Sequence, residues 1–186
     1  MSARIRPGDR REVGLATWLF ARGAGLTLRT APPALFLTLG RHRSLFRGWL
    51  HFAGKLMPGG ILPRRITELL ILRVAHQKGC AYEFEHHRKL GRRAGITPEE
   101  VDRIVAGPEA EGWSERERAL LRATDQLVAD GDLDDAHWAA LRRHITERAA
   151  IEFCMVVGHY SMLATVITTL RIEPDPPSRL GRRPRS

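Results

Sequence analysis

Three features of the sequence predict an all-α protein. Apolar residues recur at helical spacing through nearly every ordered segment, whereas no alternating apolar–polar run extends beyond a few residues. Thr97 with Glu100, and Ser114 with Glu117, carry the capping-box pattern that opens helices. Glycines at 79 and 95 stand where two of the periodic segments stop. With 186 residues, 43% of them hydrophobic, the chain has enough apolar material for one well-buried core and too much for a disordered polymer.

The elements follow in order. Residues 13–26 carry Leu15, Trp18, Leu19 and Leu26 at helical spacing, interrupted by two glycines. Pro33 opens a short apolar segment ending at Leu39. Ser44 is the expected cap of a helix bearing Leu45, Phe46, Trp49, Leu50 and Phe52, closed by Pro58-Gly59-Gly60. A helix is expected over 64–78, a second over 81–94, and a third after Thr97, where Pro98 holds the first helical position. Residues 114–128 and 134–144 read as amphipathic helices, and 146–170 as a long helix apolar on most sides. The expected organisation is a helical extension over 1–39, a main domain over 40–172, and a disordered Pro/Arg-rich tail over 173–186.

The net charge of +9 is concentrated at the ends, with +3 in residues 1–11 and +3 in residues 171–186. The remaining +3 is ordinary for a body of this size, and no helix-turn-helix, zinc knuckle or aromatic-studded basic strand accompanies it. No specific nucleic-acid partner is therefore expected, only nonspecific contact by solvated basic ends. Residues 1–13 are charged rather than apolar, and Glu152 and His159 interrupt the best apolar run, so neither a secretory signal nor a membrane span is expected. Cys80 and Cys154 fit no disulfide framework or zinc spacing, which suits a cytoplasmic protein.

Residues capable of chemistry gather between 64 and 93. Cys80, Glu83 and His87 stand three and four residues apart, so one helical face is expected to carry all three. A carboxylate beside an imidazole makes an acid–base unit, because it orients the ring and favours its protonated form. The same spacing also fits a helix-stabilising surface pair. Tyr82 and His86 form a second pair on an adjacent strip. Glu68 lies among leucines and isoleucines near Arg64 and Arg65, where a structural ion pair is the plain alternative to a site role. His159 and Tyr160 interrupt an apolar helix, either as a satisfied core pair or as site residues. Cys154, between Phe153 and Met155, reads as core. No His-Glu-x-x-His zinc motif is present, and Glu83 with His86 makes a single Glu-x-x-His where a di-iron site needs two. Neither metal nor cofactor is expected.

The run from Glu68 to Ala75, the segment Cys80-Ala-Tyr-Glu-Phe-Glu-His-His87, the Gly95-Ile-Thr segment and the Gly158-His159-Tyr160 helix together resemble the carboxymuconolactone decarboxylase family, whose superfamily includes alkylhydroperoxidase D. The likeness covers about residues 40–172. It implies an all-α fold of about six helices, assembled as a homotrimer or homohexamer. Alkylhydroperoxidase D-type members carry Glu, eleven residues, Cys, two residues, Cys, three residues, His; here the pattern falls on Glu68, Cys80, Glu83 and His87, with Glu in place of the second Cys. A two-Cys peroxidase needs that second thiol to resolve the sulfenate, so two-Cys chemistry is not expected. The resemblance instead implies a lyase of the decarboxylase type, working by acid–base chemistry on a small carboxylated or enolisable substrate. In that reading His87 is the general acid/base, Glu83 orients it, Glu68 is a second carboxylate in a relay, and Tyr82, His86, His159 and Tyr160 line the substrate. The alternatives are a one-Cys thiol peroxidase using Cys80 and a non-catalytic helical scaffold.

Overall fold

The computed structural model describes residues 2–177. They form ten helices and no strand, with one isolated bridge between Thr30 and Pro177. The chain divides into two compact units, one from Met1–Ala53 with Ile167–Ser186 and one from Gly54–Val166. These divisions are placed differently from the boundaries at 39/40 and 172/173 expected from the sequence, which follow the span of the family resemblance.

The first unit holds α1 (Arg10–Val13), α2 (Leu15–Leu28), α3 (Ala34–Leu39) and most of α4 (Arg43–Leu56). Asp9 and Glu12 close a capping box on α1, and Gly14, at φ +84°, separates Val13 at its end from α2, so the helix expected over 13–26 runs over Leu15–Leu28. Phe20, Phe36, Phe46 and Trp49 form an aromatic cluster with ring centroids 5.2–6.3 Å apart. Ser44 does not cap α4. The helix begins one residue earlier, and His42 takes the capping place: its carbonyl accepts from Phe46 N and its Nδ1 from Leu45 N at 3.4 Å.

The expected disorder from 173 is corrected for residues 173–177. Asp175 Oδ1 accepts from Ala34 N at 2.7 Å, supplying the cap that Pro33 cannot give α3, and Ala31 N donates to Pro176 O at 2.9 Å. Three prolines keep this strip extended, and its polar groups find partners, so it is held despite its composition. The rest of the predicted tail, 178–186, lies outside the described residues.

The second unit holds α5 (Arg64–Gln77), α6 (Ala81–Arg93), α7 (Pro98–Ala106), α8 (Glu115–Asp130), α9 (Asp135–Arg142) and α10 (Glu147–Leu170) as far as Val166. Every residue of α5 from Ile66 to Ala75 is buried, among them Glu68 and Arg73. Leu69, Leu70, Ile71 and Leu72 of α5, Leu120 and Leu121 of α8, and Phe153 and Val156 of α10 form the core. By length and composition α10 could cross a membrane, with a mean hydropathy of 1.6 over its best window. Half of that window is buried, and Glu152 in the first half of the helix is committed to the fold, accepting from Ile61 N and Leu62 N at 2.6 and 3.0 Å. A Cβ at Gly60 would stand 2.3 Å from Glu152 Oε1 and 2.6 Å from Leu56 O, so this approach requires glycine.

Arginines on α5 tie down the shorter helices. Arg65 reaches both Glu100 and Glu117, the glutamates that complete the capping boxes of α7 and α8. Arg73 forks onto Asp125 of α8 at 2.6 and 2.7 Å and donates through Nη1 to Ile104 O at 2.7 Å, capping the end of α7. Replacing it strands a carboxylate and a helix-terminal carbonyl together. Arg73→Met is expected to lower unfolding free energy by about 3 kcal/mol, read by urea denaturation; a loss below about 1 kcal/mol would show that the fork is an ordinary surface pair.

Candidate active site

The turn between α5 and α6 builds the site. Gly79 adopts φ +62°, Gly79 N donates to His76 O at 3.0 Å, and Cys80 N donates to Ala75 O at 2.9 Å, which is a Schellman-type closure. The chain therefore reverses within three residues and lays α6 back along α5. Glu68 of α5 and His87 of α6 meet as a result: His87 Nδ1–H donates to Glu68 Oε2 at 2.7 Å. The other oxygen, Glu68 Oε1, lies 2.6 Å from Arg64 Nη2 one helical turn away. Glu68 is completely buried, and Arg64 compensates the charge it carries there. With Nδ1 committed to the carboxylate, His87 has Nε2 as the nitrogen that can take or give a proton.

The role expected for Glu83 is thus corrected. It does not orient His87; Glu68 does, because it faces α6 from the neighbouring helix while Glu83 projects from the same helix as the ring. Glu83 is 2% exposed and neither of its oxygens has a hydrogen-bond partner among the described residues. Burial pushes its carboxyl up to about 8, so it is largely protonated at neutral pH.

Tyr160 of α10 completes the cluster, with its ring edge-on to His87 at 5.0 Å and to His159 at 5.0 Å. Its hydroxyl donates to Met57 Sδ at 3.9 Å, a weak contact. Burial, then the Glu68 and Glu83 charges, hold the Tyr160 phenol well above its ordinary pKa, so it stays neutral. Burial, and then His87, push His159 down to about 4. The structure therefore brings together Glu68, Glu83, His87, His159 and Tyr160. Tyr82 and His86 stack on each other at 4.5 Å along the adjacent strip of α6.

Cys80 occupies the cap position before α6, with non-helical φ −89° and ψ 83°, rather than a position inside the helix. It is buried and borders a separate cavity of about 270 Å³ with His76, Phe84, Glu85 and Val105. Cys154 is half-buried, and burial raises its thiol pKa. Among the described residues no group of three or more His, Cys, Asp and Glu side chains is arranged to hold a metal.

A helical domain with a buried carboxylate–imidazole pair between two antiparallel helices describes the class. Residues 43–126 match the carboxymuconolactone decarboxylase family, a segment that includes Glu68, Cys80, Glu83 and His87. The matched segment is just under half of the chain. YdfG of Bacillus subtilis is 24% identical over 97 residues, which are 51% of this chain and 66% of that protein, just under two thirds of its length. The alkylhydroperoxidase AhpD core of a peroxidase-related protein from Ralstonia eutropha JMP134 superposes with a TM-score of 0.81 at 19% identity, covering 92% of each chain. The debrominase Bmp8 superposes at 0.77 and 19% identity over 91% of each. At these identities the structural matches establish the fold.

The cluster has a pH signature. A carboxyl near 4.5 when free and about 8 when buried contributes fully below 4.5, and its contribution is lost as pH rises to about 8. His159 acts oppositely, its contribution being lost as pH falls from 6.5 towards about 4. Between about 6.5 and 8 only the Glu83 effect of these two operates. Glu83→Gln, neutral and of the same shape, is expected to flatten the fall in Tm across that window and to exceed wild type at pH 8. Parallel Tm–pH curves would mean that Glu83 is not held neutral.

Proposed function

We propose that the protein catalyses cofactor-free acid–base chemistry, decarboxylation or proton transfer, on a small carboxylated or enolisable substrate. The observation that carries this reading is the buried Glu68–His87 bond with the neutral Glu83 carboxyl beside it. Glu68 fixes the imidazole, His87 Nε2 takes or delivers the proton, and protonated Glu83 offers a hydrogen bond or a proton without repelling an anionic substrate. Loss of CO₂ leaves its electron pair on the substrate as an enolate-like anion, which a neutral acid can stabilise and quench. In this reading Tyr160, with its ring edge-on to His87, and His159 beside it would line the substrate. Ionising Glu83 would remove the acid and add a like charge, so activity should decline as pH rises through about 8. The match of residues 43–126 to the carboxymuconolactone decarboxylase family supports the lyase class.

A second reading, a one-Cys thiol peroxidase, is favoured by one observation: Cys80 borders its own cavity. Self-assembly into a trimer or hexamer belongs to the proposal too, supported by Ile151, Met155 and Met162, an exposed apolar stripe at helical spacing on α10.

The test is deuterium incorporation and CO₂ release from small β-keto acids and carboxylated lactones, followed by NMR in D₂O. It is run beside peroxide consumption with a dithiol reductant. His87→Gln is expected to lower turnover by about a hundredfold or more with helix content unchanged, while Cys80→Ser retains it. Turnover that survives His87→Gln, or peroxide consumption that requires Cys80, overturns the reading.

A further inference from the structure

A groove of about 530 Å³ opens between α8 and α9, apart from the acid–base cluster. Arg118, Ala119 and Arg122 of α8 lie on one helical face, and Ala136, Ala140 and Arg143 at α9 lie on another at matching spacing. Three alanines leave unfilled a space that longer side chains would occupy. Their methyl groups and the arginine stems make an apolar slot with guanidinium groups on both walls.

The charges in the slot are incompletely compensated. Arg118 and Arg122 both draw on Glu109: Arg122 forks onto it at 2.7 and 2.8 Å, and Arg118 approaches it at 3.7 Å. Glu109 is 67% exposed, so these pairs are readily given up to a better anion. Arg118 Nη1 is held in place by Pro108 O at 2.7 Å. The Arg143 side chain has no ion pair among the described residues. Glu115 is the one acidic residue on the walls, and His144 adds a further donor beside Arg143. The volume falls in the range of small-molecule sites and exceeds what a bare inorganic anion fills.

We infer that the α8–α9 groove binds a small organic anion, a phosphate or carboxylate group carried on an apolar body of about mononucleotide size, held between Arg122 and Arg143. The arginine forks recognise the planar or tetrahedral oxygens, and the alanine walls take the apolar body. None of Glu68, Glu83, His87 and Tyr160 lines the groove, so the inference is independent of the reaction proposed above.

The experiment is isothermal titration of the full chain with adenosine monophosphate, benzoate, inorganic phosphate and uncharged adenosine, with folding of each variant checked by circular dichroism. Adenosine monophosphate or benzoate is expected to bind more tightly than inorganic phosphate, and adenosine not to bind. Arg143→Ala should weaken binding about tenfold, and Ala140→Leu should abolish it by filling the slot without changing any charge. Adenosine monophosphate alone would assign a phosphorylated ligand, and benzoate alone a carboxylated one. No binding by either up to about 10 mM overturns the inference. So does binding indifferent to both substitutions, which would be nonspecific attraction to a basic chain.

Discussion

The second unit depends on one constraint: α5 is buried on all sides and carries charges, and each buried charge must be answered by a neighbour. Glu68 is answered by Arg64 and by His87, which positions α6. Arg73 is answered by Asp125 and the Ile104 carbonyl, which positions α8 and the end of α7. Arg65 reaches the capping glutamates of α7 and α8. An apolar α5 would pack as well but would accept its neighbours in several registers. Fixed polar partners select one.

The candidate site inherits its chemistry from this arrangement. Two carboxyl groups stand near one imidazole, in different environments. Glu68 has a cation and a ring donor, whereas Glu83 has neither and is kept neutral by burial. Environments that separate two like groups are how one fold holds an acid and a base together near neutral pH. Cys80 stands outside this division of labour, at the cap of α6 and beside its own cavity.

Much of the secondary structure was legible because its signals are local. The capping boxes at Thr97 and Ser114 and the glycine stops at 79 and 95 are written within a few residues, and the structure has helices bounded where they indicate. Ser44 misled because the His42 imidazole takes the amide of Leu45, three residues on, and starts the helix at Arg43, which leaves Ser44 inside the first turn; that acceptor is not visible in a cap pattern built on hydroxyls and carboxylates. The cluster members Glu68, Glu83, His87, His159 and Tyr160 were all legible as chemistry-bearing residues. Their pairing was not: Glu68 and His87 are 19 positions apart, and only the packing of α6 on α5 decides which carboxylate meets the ring. Arg73 and Arg143 escaped notice because an arginine in an amphipathic pattern looks solvated until the neighbouring helices are in place.

The cap that Asp175 places on α3 joins positions 141 residues apart, and the unit it completes is interrupted in sequence by the whole of the other. On a ribosome that order has a consequence. Residues 54–166 are synthesised as one uninterrupted stretch and can collapse as soon as they emerge. The first unit lacks the cap on α3 until Asp175 has been made, after the whole of the other unit.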